Sequence, residues 1–333
     1  MKLLRWCKAN AMPVIAVLAA AVTAVFVPPD AAYLGYYDVK TLSCLLCVLA
    51  VVGALRRVGL FPLLAQRLVQ TFHTTRGAVT TLVSITLVGS MLLTNDTALL
   101  TFLPLSWFVL ERTGQTKWTA LTFILQNCAA NLGGMLTPFG NPQNLYLYNR
   151  YGFSMGTFLS AIAPYSVLSL ALLTGSCLLF LPAQPIAPPR AQSRIQSPGR
   201  LGAYCLLFGV NLLTVLRILN PWILLGIICI TLLLLDRSLF RKADYSLLLT
   251  FVFFFIFVGN MGNIPALSGA LQRFLQGREL LTAVLASQVI SNVPAAILLS
   301  GLSEDGRALL IGTNLGGLGC NIHSPFSCRM ISS

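Results

Sequence analysis

The sequence is short of charge, and shortest of acid: nine Asp and Glu and two His stand against 22 Lys and Arg in 333 residues. Charged residues make up 9% of the chain, where a soluble domain carries roughly a quarter. That excludes an ordinary soluble globular domain. No GxSxG, HExxH or GxxxxGK[ST] occurs, and neither His73 nor His323 has a second metal-type residue at helical spacing. Hydrolysis by a nucleophile and base, zinc chemistry and ATP coupling within the chain therefore lack their residues. We expect no enzyme, no catalytic residue and no cofactor beyond Na⁺ or H⁺ as a coupling ion. Basic residues are not interleaved with aromatics in any patch, so nucleic acid is not an expected partner. The Cys44–Cys47 pair forms a CxxC without neighbouring ligands and reads as two small hydrophobes in a helix.

What is present is oil. Hydrophobic residues reach 56%, and runs such as 11–27, 156–181 and 246–259 approach the ~20 residues that span hydrocarbon. The expected fold class is an all-α polytopic membrane protein. The net charge of +13 then reads through the positive-inside rule. Lys2, Arg5 and Lys8 place the N-terminus in the cytoplasm, with an uncleaved first helix, 11–27, running outward. Segment 41–55 returns to Arg56 and Arg57, followed by a surface segment, 59–76.

Residues 78–111 are flanked by basic residues at both ends, and as one helix would run roughly 50 Å. A re-entrant hairpin with its tip at Thr94–Thr97 fits better. A broken helix, 118–150, and a helix, 156–181, complete a first repeat, 1–181, and 182–200 is a cytoplasmic linker. The second repeat, 201–333, holds spans 201–216, 222–235 and 246–263. A surface segment 265–277, a hairpin 279–303 and a broken helix 308–333 follow. Lys40, Arg150, Arg217, Arg273, Arg278 and Arg307 fall outside on this path and the other basic residues inside, in the cytoplasmic (inner) membrane.

Two motif pairs recur in the same order. NDTALL (95–100) is echoed by NVPAAILL (292–299), and NLGGMLTPFGNP (131–142) by NLGGLGCNIHSP (314–325). On the threading the first hairpin enters from the cytoplasm and the second from outside. Inverted repeats with paired interrupted helices place a transport site at midplane.

The breaks have a local logic. Asn141 before Pro142 suits an N-cap with proline at the first helical position; Asn292 with Pro294, and Ser324 with Pro325, suggest similar starts. Asn95 or Asp96 would cap the second arm of the first hairpin. Each start carries partial positive charge that favours an anion. The halves that end there leave free carbonyls which, with Asn, Thr and Ser oxygens, can coordinate Na⁺. Asp96 is the acid deep in apolar sequence, and an intramembrane carboxylate is a functional candidate. Three roles stay open for it: binding Na⁺, carrying a proton, or capping its half-helix.

At LTNDTALLTFLPL (93–105), NLGGMLTPFGNPQNLYLY (131–148), ISNVPAAILLSG (290–301) and GTNLGGLG (312–319) the chain resembles the ion-transporter superfamily. Its members include arsenite permeases, NhaD-type sodium/proton antiporters, citrate–metal symporters and divalent-anion/sodium symporters. The resemblance implies a homodimer in the lipid bilayer, with a scaffold (helices 11–27 and 41–55) and a transport region that moves elevator fashion. Carried onto this chain, it places the substrate and cation site at Asn95, Asp96, Thr97, Thr137, Gly140, Asn141, Gln143, Ser291, Asn292, Thr313 and Asn314.

The implied function is ion-coupled transport of a small inorganic or organic anion of the arsenite, citrate or dicarboxylate class. The alternative is a sodium/proton antiporter. The neutral GNPQN at the first break departs from the acidic pattern of NhaD-type antiporters and suits an anion or neutral oxyacid. After GTNLGGLG the sequence turns to CNIHSPFSCRMISS without a partner for 156–181, from which we expect a truncation or frameshift beginning near Cys320.

Overall fold

The computed structural model describes residues 11–69, 71–187, 195, 197–235 and 245–320. The described residues form helices joined by short turns, with one isolated bridge between Thr74 and Pro185. In chain order come α1 (Ala11–Phe26), α2 (Val39–Val58), α3 (Leu60–Val69), α4 (Thr75–Leu92) and α5 (Asn95–Arg112). Then follow α6 (Thr119–Gly134), α7 (Pro142–Arg150), α8 (Met155–Phe180), α9 (Pro198–Val215) and α10 (Pro221–Leu235). The last are α11 (Tyr245–Gly262), α12 (Pro265–Leu275), α13 (Glu279–Ile290), α14 (Asn292–Ser300) and α15 (Gly306–Cys320). Among the described residues, five helices (α2, α4, α8, α9 and α11) are long and apolar enough to cross a membrane. The chain is an all-α polytopic membrane protein.

Local chemistry sets the helix ends. The Asp38 carboxylate accepts from the Thr41 N–H at 3.0 Å to start α2, and Gly59, at φ 85°, closes it by donating to the Arg56 carbonyl at 3.0 Å. That left-handed closure is cheap only for glycine. Hydroxyls of Thr74 and Ser154 cap α4 and α8 at 3.1 and 3.0 Å. Proline opens α7, α9 and α12, where its missing N–H costs nothing.

The surface is that of a lipid-facing protein. Val167, Leu168, Leu172 and Leu179 of α8 point outward and are exposed. Inside, Cys47, Val51 and Ala54 of α2 are buried in one cluster with Leu224, Ile228 and Leu232 of α10 and Tyr204 and Leu207 of α9. Both cysteines of the CxxC are buried and unpaired by disulfide, packed as small apolar side chains. Helices without a hydrophobic drive toward each other need close approach and polar contacts. The Gln126 amide on α6 supplies one, donating to the Thr86 hydroxyl of α4 at 2.8 Å. Glycine supplies the approach: a Cβ on Gly133 would strike the Leu87 carbonyl, and one on Gly316 the Val284 carbonyl at 2.5 Å. In both halves the NLGG helix therefore presses its first glycine against the backbone of the preceding hairpin's first arm.

The hairpins turn more tightly than the sequence suggests. Only Leu93 and Thr94 separate α4 from α5, so Asn95, Asp96 and Thr97 already lie in the first turn of α5. Ser291 alone separates α13 from α14. The arms are also unequal between the two, at 18 residues each in α4 and α5 against 12 and 9 in α13 and α14. Between α6 and α7 the helix is interrupted over 135–141, where Pro138 and Pro142 remove two donors. The expected second break, with Ser324 and Pro325, lies outside the described residues, as do Lys2, Arg5, Lys8, His323 and residues 188–194 and 196 of the linker.

Gly133→Ala and Gly316→Ala should each destabilise the protein by about 1–3 kcal/mol through overpacking against backbone. Gly175→Ala, where an added Cβ meets nothing within 4 Å, should be neutral or gain up to ~1 kcal/mol of helix propensity. Thermal unfolding of the detergent-purified variants measures the contrast.

Candidate functional site

The interruption between α6 and α7 leaves carbonyls that lipid cannot satisfy. The protein closes most of them with one side chain, and the Gly140 N–H also donates to the Thr137 carbonyl at 3.3 Å. Asn144, fully buried in the first turn of α7, donates its amide N–H groups back to the carbonyls of Gly134, Met135 and Thr137 at 3.2, 3.4 and 3.3 Å. The Thr137 hydroxyl donates to the Met91 carbonyl at 2.7 Å, tying the same break to the end of α4. Gly140 fits because its α-carbon faces the Gly134 carbonyl, which a Cβ would approach to 2.5 Å. The freed carbonyls, expected as ligands for a cation, are each engaged by the Asn144 amide.

Asparagines then link the two halves of the chain. Asn314 on α15 donates to the Asn144 side-chain oxygen at 2.7 Å, and Asn141 donates to the Asn314 oxygen at 3.4 Å. In the first half, Asn95 donates to the Asn131 oxygen at 3.1 Å, holding the hairpin tip against α6. Each NLGG asparagine therefore binds a neighbouring break or tip. Thr313, fully buried, donates back to the Leu309 carbonyl of its own helix at 2.8 Å.

Capping differs from expectation at both hairpins. The N-cap of α5 is Thr94, not Asn95 or Asp96, and its hydroxyl donates to that of Thr97 at 2.9 Å. The N-cap of α14 is Ser291, with φ 75° and ψ 162°, and Asn292 is the first helical residue. Asn141 does occupy the N-cap of α7 before Pro142, but its side chain makes no cap bond and turns to Asn314. The Asp96 side chain lies outside what the structure describes.

Three of these helix starts face a single cavity of about 640 Å³. Thr94, Asn95 and Thr97 line it from the N-cap and first turn of α5, Pro142 and Gln143 from α7, and Ser291 to Pro294 from the N-cap and first turn of α14. The far wall is a stripe of α2 (Leu49, Ala50, Gly53, Arg56 and Arg57), with Ser246, Leu247 and Thr250 of α11 and Met12 of α1 beside it. Among the described lining residues no carboxylate is present, whereas two are arginines. Among the described lining residues, three helix N-termini, each worth roughly half a positive charge, and two guanidiniums supply positive charge to this space.

Among the described residues, two buried groups at the cavity have no protein partner: the Gln143 amide nitrogen and the Asn292 side-chain oxygen. They are 2% and 8% exposed, and such groups cost about 1–3 kcal/mol each when unpaired. The Asn141 oxygen is also unpaired, away from the described lining. So the structure gathers Asn95, Thr97, Gln143, Ser291 and Asn292 around one space. Thr137, Gly140, Asn141, Thr313 and Asn314 instead lie in the polar layer behind it. Sequence reasoning missed Asn144, Asn131 and the arginines. The first two were visible as the second asparagine of NPQN and as the N of NLGG; Arg56 and Arg57 had been read as topology markers alone.

A family profile described as citrate transporter matches residues 3–305. The inner membrane protein YbiR of Escherichia coli K12 is 34% identical over 270 residues, covering 78% of this chain and 70% of that protein. An uncharacterized transporter of Methanocaldococcus jannaschii is 32% identical over 244 residues, 73% of this chain and 67% of the relative. A silicon efflux transporter of Oryza sativa subsp. japonica is 33% identical over 128 residues, 38% of this chain and 26% of its own.

Replacing Asn144 by Leu should cost at least about 2 kcal/mol, because the Gly134 and Met135 carbonyls lose their donor together while the Thr137 carbonyl keeps the Gly140 N–H at 3.3 Å. Ser291→Gly should stabilise by about 1 kcal/mol, since Ser291 holds a backbone conformation reserved for glycine at ~1–3 kcal/mol, partly offset by the looser unfolded chain. Opposite shifts in thermal midpoint of the two purified variants are the expected result.

Proposed function

The chain belongs to the citrate transporter family within the ion-transporter superfamily, and on that premise we propose that it is an ion-coupled secondary transporter of a small anion. Its family is one of membrane transporters, which is not an enzyme class. The observation that carries the reading is the convergence of three helix starts and two arginines on one cavity, with a buried amide donor awaiting a partner. At about 640 Å³ the space lies within the range of small-molecule sites, ~300–1,000 Å³.

In this proposal the substrate's oxygens take the Gln143 amide and the helix-start N–H groups. A coupling Na⁺ takes side-chain oxygens such as that of Asn292, or Asp96 carries the coupling proton. The two hairpins and the broken helices move as a unit against α1 and α2, elevator fashion, in each protomer of a homodimer. The halves are inverted repeats, and the N-terminus and the arginine end of α2 face the cytoplasm. Three features support this reading. The two NLGG helices share the same glycine-to-backbone packing, the asparagine bridge joins one half to the other, and the cavity is walled by helices outside the hairpins.

Reconstituted full-length protein should accumulate citrate, succinate or arsenite under an imposed Na⁺ or H⁺ gradient. Gln143→Ala and Asn292→Ala should each lower uptake by at least tenfold, about 1.4 kcal/mol of lost binding or more. Absence of flux of all three anions under both gradients would overturn the reading. Na⁺-dependent collapse of a pH gradient without any anion, abolished in Asp96→Asn, would replace it with sodium/proton antiport.

A further inference from the structure

The first turn of α7 lines the cavity through Pro142 and Gln143, and its last turn, about 10 Å further along the axis, is gripped from two sides. From α2, the Thr41 hydroxyl accepts from the Asn149 amide at 3.1 Å. From the turn between α9 and α10, the Arg217 guanidinium donates to the Tyr148 and Gly152 carbonyls, both at 3.1 Å. The same group lies 4.8 Å from the centre of the buried Tyr148 ring. Carbonyls at a helix C-terminus carry partial negative charge, and here a cation from another element answers it. Arg217 holds φ 65° just beyond α9, a left-handed position where glycine is the usual residue. The chain keeps a side chain there against its own backbone preference. Helices α9 and α10 pack with α2 in one buried cluster, so both grips come from one body. They act at the end of α2 away from the cavity, since Thr41 and Arg57 lie about 24 Å apart along that helix.

We propose that Arg217 and the Thr41–Asn149 pair form a latch that holds the cavity shut toward the outer side, and that it must release before the cavity opens there. The proposal names the contact that breaks, and it rests on the transport reading for the movement of α7 against α2. While the latch is made, the outer end of α7 cannot slide along α2, and the cavity faces the arginine end of that helix. Release breaks three hydrogen bonds, and none of them involves a residue that lines the cavity. The latch therefore sets how often the protein turns outward without touching the groups that meet the cargo.

Sidedness can be read without knowing the cargo. Gly53 lines the cavity and an added Cβ there meets nothing within 4 Å, so Gly53→Cys places a thiol in it. A membrane-impermeant maleimide is applied to spheroplasts expressing the full chain, subtracting labelling of the same protein without Gly53→Cys. With the outward state a minor one, the rate in spheroplasts should be at most about a tenth of the rate after membrane disruption. Arg217→Gly with Asn149→Ala should raise the spheroplast rate at least about threefold. Glycine takes φ 65° freely, so the turn after α9 survives the substitution. A clamp with a purely structural role would lower the thermal midpoint of the purified variant and leave sidedness unchanged. A spheroplast rate that the variant leaves unchanged or lowers, or one already equal to the disrupted rate in the parent, overturns the proposal.

In proteoliposomes, Thr41→Cys/Asn149→Cys bridged by a short bis-methanethiosulfonate should lose uptake of whichever of citrate, succinate and arsenite the parent moves, and regain it on reduction. Uptake undiminished in the bridged protein overturns the latch and leaves transport standing. No flux of any of the three anions in the unbridged protein, with sidedness that follows Arg217 and Asn149, upholds the latch and removes the transport reading.

Discussion

The amide of Asn144 is the contact on which the site depends. A helix interrupted in lipid exposes carbonyls that have no water to turn to, each worth several kcal/mol if left bare. One carboxamide from the first turn of α7 reaches back and engages the Gly134, Met135 and Thr137 carbonyls at once. Its oxygen in turn accepts from Asn314, so the closure of the first break is also the joint between the two halves of the chain. A backbone that would otherwise be pushed into continuous helix can stay open, and the start of α7 is free to face the cavity.

That arrangement divides the polar residues into two layers. Behind, Asn131, Thr137, Asn144 and Asn314 are committed to backbone or to one another. In front, the Gln143 nitrogen and the Asn292 oxygen have no protein partner. The two unpaired groups at the cavity are a donor and an acceptor on different helices, placed to be met by something that is not protein. Geometry contributes as much as residue type in front: helix starts aim N–H groups at the space, and the described lining from α2 ends in Arg56 and Arg57.

Much of this was legible residue by residue. Pro138 and Pro142 flank a break because proline removes donors and clashes with the preceding turn, and the break is where the sequence puts it. The paired NLGG glycines announced close approach, and both meet backbone. The capping residues were harder to place. Asn95 and Asn292 are good N-cap residues by type, yet Thr94 and Ser291 hold those positions. The side chains of both asparagines are pulled sideways, toward Asn131 and toward Gly317, and cap preference of a few tenths to ~2 kcal/mol yields to such contacts.

Composition and hydrophobic run length alone determined that the chain is an all-α, multi-pass membrane protein, because the cost of charge in hydrocarbon is a property of each residue and needs no partner. Local chemistry likewise determined where helices stop, since proline and glycine act on their own backbone. Which polar groups meet was decided only by the tertiary structure. Arg56 is 87 positions from Gln143 and Asn292 is farther still, and nothing in the intervening sequence encodes that α2, α7 and α14 wall one cavity. Hydrogen bonding and charge act over a few ångströms in space, and that proximity exists only once the helices have packed.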